Sequence, residues 1–432
     1  MRKFVKPILF ITAAGFILLA LLMIIPGIRT RVISRVDQLA GRIFYSVVKP
    51  EESVFVPQGE AQPNVDISTM TAFPTPTSTA IPQQQTSTPE PTATATLIPT
   101  PLPPAVLLEG ITYTSQTGHG NYCAPANLAM ALSYWNWQGT VDQCAAYLKP
   151  FADDFNVMPY EMENYVNDMT ELDVVLRYGG NLDLLKRFIA AGFPVLIEKG
   201  IYHIDITGVV SWMGHYNMVD GYDEEKQQFR TQDSLIAPNT WIGYKDLETE
   251  WRSFNYTFMV VYPPDRQVEI DRLLGEYLFL EQSYQIAAQK ASDEIYKTSG
   301  ADLFFAWFNR GSSLVGLNDY YGGSVAYDEA YRLYPSIPEK ERPYRITWYQ
   351  TGPYFAYYYA GRYQDVYDLA TQTITSARKP YLEESFYWRA KARVMLGDQP
   401  GAIADLCESL DYHPEFAPSV YELSLLGVYT CP

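Results

Sequence analysis

Between Pro57 and Pro104 the chain carries a stretch that cannot build a core. Its last two thirds, from Phe73, read FPTPTSTAIPQQQTSTPEPTATATLIPTPLPP. Proline and threonine recur there with too few apolar residues to offset the entropy of folding, so extended, partly polyproline-II chain is expected. The segment divides the molecule. Everything that folds must do so before Pro57 or after Pro104, and the part after Pro104 is long enough for two domains of ordinary size.

The part before it reads as a membrane anchor. Between Lys6 and Arg29 lie 22 uncharged residues, PILFITAAGFILLALLMIIPGI, which as a helix exceed the roughly 30 Å hydrocarbon core of a bilayer. No small-residue cleavage site follows, so a retained transmembrane helix is predicted within residues 1–30 rather than a signal peptide. Residues 31–56 form an amphipathic juxtamembrane segment. Val32, Val36, Leu39, Ile43 and Val47 share one helical face, with Arg31, Arg35, Arg42 and Lys49 on another, a pattern suited to an anionic lipid surface. Basic residues flank both ends of the span, so the positive-inside rule does not orient it. A long spacer after an anchor is typical of exported proteins. The globular part is therefore expected outside the cytoplasm, joined to a single-pass anchor by the 57–104 linker and released as a soluble fragment if that linker is cut; an intracellular tether is the alternative.

With 32 basic and 49 acidic residues, a net charge of −17 excludes a phosphate-tracking surface, and no nucleic-acid partner is expected. The four cysteines, Cys123, Cys144, Cys407 and Cys431, are too few for a disulfide framework and lack the CxxC spacing of a zinc site. No metal or organic cofactor is expected.

Cys123 precedes the helix-forming run APANLAMALSYW. Pro125 suits a first helical turn, where its missing N–H costs nothing. A cysteine at a helix N-terminus meets the positive end of the dipole, which favours the thiolate, although a buried core thiol is the ordinary reading. Downstream, His215 to Tyr222 reads as a strand, Asp223 to Lys226 as a turn, and Gln228 to Asp233 as the returning strand. That hairpin brings Asp233 within reach of His215. A carboxylate on one imidazole nitrogen fixes the tautomer and leaves the other nitrogen for a thiol proton. Gln116, a few residues before the cysteine, can donate its amide to an oxyanion beside the Cys123 backbone N–H. His119, in a glycine-flanked loop, is the reserve base.

The runs QTGHGNYCAPANLAMALSYW, NLDLLKRFIAAGFPVLIEKGI, GHYNMVDGYD and TQDS resemble, in this order, the papain-like cysteine peptidases related to the bacteriocin-processing, double-glycine-cleaving domains. The resemblance covers residues 106–263. It implies an α+β papain-like domain over 105–265 with Cys123 as nucleophile, His215 as base, Asp233 as its orienter and Gln116 as oxyanion donor. Two departures bear on the oxyanion hole. Ala124 stands where the family usually has glycine, and the interval of seven from Gln116 to Cys123 is one longer than its pattern.

After Pro264 the pattern turns helical and aromatic. Trp307, Gly311, Gly323, Tyr327, Ala330 and Pro335 fall at tetratricopeptide offsets, with less regular copies over 347–380 (Gly361, Tyr363) and 383–414 (Ala390, Gly397, Ala402, Pro414). An all-α tetratricopeptide-like repeat domain is expected over 266–432, its concave face open to a peptide or protein partner; a plain helical bundle is the alternative. Cys407 and Cys431 can bridge in an oxidising compartment. The expected function is a membrane-anchored cysteine peptidase acting on a peptide or protein substrate. The alternatives are an inactive peptidase-like binding module and an acyl or peptidyl transferase. On the two-module reading, a fragment of about 104–266 should fold and keep its thiol reactivity.

Overall fold

The computed structural model describes residues 26–59, 101–149, 151, 154–205 and 208–431. Most of the predicted anchor and most of the 57–104 linker lie outside the described residues. No helix among the described residues is long and apolar enough to cross a membrane.

The amphipathic segment forms helix α1, Pro26–Val47, beginning several residues before the expected start. Its predicted apolar stripe faces outward, with Val36, Leu39, Ile43 and Val47 all exposed. The other side packs on the protein. Asp37 pairs with Arg378 at 2.9 Å and with Lys379 at 3.3 Å. Past α1 the chain runs across the C-terminal helices. Phe55 is buried between Tyr331 and Tyr357, with ring centroids at 4.9 and 6.0 Å, and Gln58 hydrogen-bonds Asp365 and Asp368.

The domain after the linker is α+β. Three helices, α2 (Cys123–Tyr134), α3 (Val141–Leu148) and α4 (Pro159–Met169), follow the short strand β1 (Ala105–Leu107). An antiparallel sheet then forms from β2 (Asp173–Arg177), β3 (Val195–Ile204), β4 (Val210–Asp223), β5 (Gln228–Gln232), β6 (Thr240–Gly243) and β7 (Phe258–Tyr262), in the order β2-β7-β3-β4-β5-β6, with β1 on β4. Helix α5 (Leu182–Ala190) connects β2 to β3, and α6 (Tyr244–Arg252) connects β6 to β7.

Period-two alternation divides the central strands between two cores. Leu196 lies opposite both Met218 and Met259, and these three meet Leu128, Met130 and Leu132 of α2. The alternate residues Val195, Ile197, Val219 and Phe258 pack on Leu185, Phe188 and Trp251. Both faces are covered, which explains the unbroken apolar run FMVVY of β7. Each such side chain contributes about 1.5–3 kcal/mol by burial. Helix α7 (Gln267–Leu274), just past Pro264, adds Ile270 and Leu274 to the second core.

The rest is helical: α8 (Leu280–Ile295), α9 (Gly300–Gly316), α10 (Tyr320–Leu333), α11 (Ile346–Tyr349), α12 (Gly352–Tyr359), α13 (Tyr363–Ser376), α14 (Glu383–Met395), α15 (Gln399–Tyr412) and α16 (Ala417–Leu425). Three-residue connections make helical hairpins of α9/α10, α12/α13 and α14/α15. Gly311 explains how closely the first pair approaches, because a Cβ there would sit 2.8 Å from the Tyr327 ring. Tyr354 and Tyr357 are fully buried, whereas Tyr321 and Tyr359 are exposed. Cys407 and Cys431 form a disulfide that ties α15 to the chain after α16.

The two parts share a core. Trp212 of β4 and Phe254 cluster with Phe305 and Tyr349 of the helices, and Trp212 stacks on Phe254 at 5.7 Å. Arg345, buried, donates to the Trp212 carbonyl at 2.9 Å and pairs with Asp205 at 2.9 Å. These contacts differ from the two-module expectation, since nothing in the sequence pattern signals that β4 and the array bury each other.

Candidate active site

Cys123 is the first residue of α2, with Tyr122 before it as an N-cap that supplies no side-chain hydrogen bond. The residue as a whole is half-buried. The turn leading to it takes left-handed backbone at Gly118 (φ 91°) and Asn121 (φ 58°), which accommodates the long Gln116 to Cys123 interval. Lys149 Nζ steadies this turn by donating to the carbonyls of Gly120 and Asn121 at 3.3 and 3.2 Å.

His215 lies in β4, opposite Lys199 of β3, and is buried. Its Nε2 meets Asp233 Oδ1 at 2.9 Å. Strand β5 ends at Gln232, so Asp233 opens a turn rather than closing the strand. Its Oδ1 also accepts the backbone N–H groups of Leu235 and Ile236 at 2.9 and 3.1 Å. Three donors on one oxygen fix the carboxylate. Burial alone would raise the Asp233 carboxyl, but the His215 hydrogen bond and charge hold it well below the usual carboxylate range.

With Nε2 taken by Asp233, the other ring nitrogen is left for the thiol, and Cys123 and His215 line the same cleft. Burial opposes charge on both groups. Even so, the hydrogen bond and charge of His215 lower the Cys123 thiol, and a backbone hydrogen bond from Tyr216 adds to this. Conversely Asp233 and Cys123 outweigh the burial of His215 and raise it to about 9. Both shifts run towards the thiolate and imidazolium forms. Cys144 is the contrast: buried in the α2 core, its thiol is pushed up to about 12.

Gln116 lines the same cleft as Cys123 and His215. Buried Asn127, one helical turn after Cys123, donates to Ser234 Oγ at 3.1 Å; Ser234 in turn donates to Gln116 Oε1 at 2.7 Å. The direction of this relay leaves the Gln116 amide N–H groups turned away from Ser234 and free to serve an oxyanion. The sequence reading missed Asn127 and Ser234. Their signals were a lone amide in an apolar helix, four residues past the cysteine, and the serine of TQDS. His119 is exposed and stacks on Tyr122 with ring centroids at 4.7 Å; it does not line the cleft. His413 pairs with Glu383 at 2.9 Å.

The cleft encloses ≈ 430 Å³. Its walls come from all three parts of the chain, with Tyr45 of α1 and Trp348 and Tyr349 of the helical array facing Cys123, Ala124 and Tyr216. Among the described residues no group of acidic, histidine or cysteine side chains is placed to hold a metal ion.

Residues 108–259 match the model of the Peptidase_C39 like family, in agreement with the expected papain-like peptidase domain. The chain is also similar to a crystal structure described as a candidate C39-like peptidase from Bacillus anthracis, at 15% identity and a TM-score of 0.28, over 36% of this chain and 96% of that one. No curated protein matches. Neither similarity extends to a tetratricopeptide assignment for the C-terminal helices.

Proposed function

We propose that the protein is a membrane-anchored cysteine peptidase working outside the cytoplasm. The observation that carries the reading is the His215–Asp233 pair sharing one cleft with Cys123 and with a Gln116 amide oriented by Ser234. Cys123 attacks the substrate carbonyl carbon as thiolate. The oxyanion that forms is held by Gln116 and the Cys123 backbone N–H. Collapse breaks the C–N bond as the His215 imidazolium gives its proton to the departing amine, leaving a thioester. Water then attacks the thioester with His215 as base, releasing the acid and restoring the thiol.

The division proposed is anchor 1–30, juxtamembrane segment 31–56, linker 57–104, peptidase domain 105–265 and tetratricopeptide-like helices 266–432, the last binding substrate or a protein partner. The apolar span of the sequence, the outward stripe on α1 and the Cys407–Cys431 disulfide support placement at the outer face of a membrane, where disulfides persist. One experiment tests both parts of the reading. A membrane-impermeant peptidyl electrophile applied to intact cells should label Cys123, and Cys123→Ala should abolish the labelling. Labelling only after lysis would put the domain inside, and no labelling in either case would overturn the peptidase.

A further inference from the structure

Most of the charged side chains lining the cleft have a partner of opposite sign. Arg345 faces Asp205, and Arg378 and Lys379 face Asp37. Asp233 holds His215. Glu198 has no such partner. It projects from β3 opposite Tyr216, is 4% exposed, and lines the cleft together with Cys123. Tyr216, directly across the ladder, donates its hydroxyl to the Val157 carbonyl at 2.9 Å, and among the described residues no basic side chain pairs with Glu198. Burial, followed by the nearby charge of Cys123, pushes its carboxyl well above the usual range.

A buried carboxyl next to a nucleophile and open to a substrate cleft is incomplete by itself. As a lone carboxylate it is poorly solvated; a cation brought against it would restore its charge and complete the pair. We propose that Glu198 forms the floor of a substrate side-chain subsite beside Cys123 and selects peptides carrying lysine or arginine near the scissile bond. The walls suit such a side chain. Phe155, Val157 and Trp348 offer apolar surface to the aliphatic stem, while the charged head reaches the carboxylate. The net charge of −17 favours approach of a cationic peptide. Selectivity follows because a neutral side chain of equal size would leave Glu198 without the partner the subsite is built for.

The inference rests on the peptidase reading, and the test separates the two. Peptidyl acyloxymethyl ketones with arginine at each of the three positions preceding the reactive carbon would be compared with their citrulline isosteres, following alkylation of Cys123 by mass spectrometry in the wild-type chain and in Glu198→Gln. At one position the arginyl reagent should react at least about tenfold faster than the citrullinyl one. In Glu198→Gln the two should react within about twofold, with Cys123 still labelled by iodoacetamide. Equal wild-type rates for both reagents at every position would overturn the subsite while leaving the peptidase intact, and this comparison needs no variant to fold. A preference that survives Glu198→Gln would also overturn it. If neither the peptidyl reagents nor iodoacetamide label Cys123, the peptidase reading falls and the subsite with it.

Discussion

Ser234 Oγ donates to Gln116 Oε1 across 2.7 Å while accepting from Asn127 Nδ2. A residue beside the orienting carboxylate thus sets which end of the Gln116 amide faces the cleft. Asn127 Nδ2 also lies 2.8 and 2.9 Å from the Cys123 and Tyr216 carbonyls, its two N–H groups shared among three acceptors, so one buried amide joins the nucleophile's helix, the histidine's strand and the oxyanion donor.

Gln116→Ala should lower kcat by about 10²–10³-fold, as loss of an oxyanion donor does elsewhere. Ser234→Ala should give a smaller loss in kcat with KM nearly unchanged, because the amide remains but is no longer held. Steady-state kinetics on one fluorogenic peptide checks both; an unaltered kcat in Gln116→Ala would remove it from the oxyanion hole.

The shifts at Cys123 and His215 predict the pH profile. Since His215 lowers the thiol against the effect of burial, alkylation of Cys123 by iodoacetamide should already be fast below the free-cysteine value of about 8.5. Peptide cleavage should fall as pH rises through about 9, where His215 loses the proton the leaving amine needs. In His215→Ala burial acts unopposed by the imidazole, and the alkylation midpoint should move up.

Asp233→Asn should cost about 10³–10⁴-fold in kcat, since the imidazole loses both its orientation and the charge that stabilises imidazolium. The alkaline limb of the profile should shift down from about 9 towards the ordinary histidine value of about 6.5. A variant that loses rate without that shift would make Asp233 a packing residue only.

A fragment ending near residue 266 should be aggregation-prone and lack cooperative unfolding, because it exposes Trp212 and Phe254 and deletes Ile270 and Leu274. In the full chain Trp212→Ala should cost about 3–5 kcal/mol. Near-UV circular dichroism with thermal melts measures both.

Much of the site was legible because it depends on short-range rules. A proline in the first turn places Cys123 at a helix start, and a hairpin with a four-residue turn brings His215 to Asp233. The observed register, Met218 opposite Gln232 and Tyr222 opposite Phe229 with a shift between Val219 and Gly221, lies within a residue of that expectation. What escaped depends on distance along the chain. Ser234 and Gln116 are 118 residues apart, and a serine in a turn has many local partners that would explain it equally well. Glu198 lies in VLIEKGI, where strand periodicity gives its face but not the missing counter-charge. The array's share of the cleft was hidden for the same reason: Trp348 and Tyr349 read as ordinary core aromatics until the fold brings them to Cys123.

Phe55 buried in the helical array changes what the Pro/Thr-rich stretch can do. Residues 26–59 dock on the same body that residue 101 re-enters, so both flanks of the Pro/Thr-rich stretch are held on that body. The length of the stretch cannot set how far Cys123 ranges from the outward stripe of α1; the packing of Asp37 and Phe55 does. A proteolytic nick between residues 59 and 101 would leave a two-chain molecule held by non-covalent contacts, and shedding of the globular part would require those contacts to open as well.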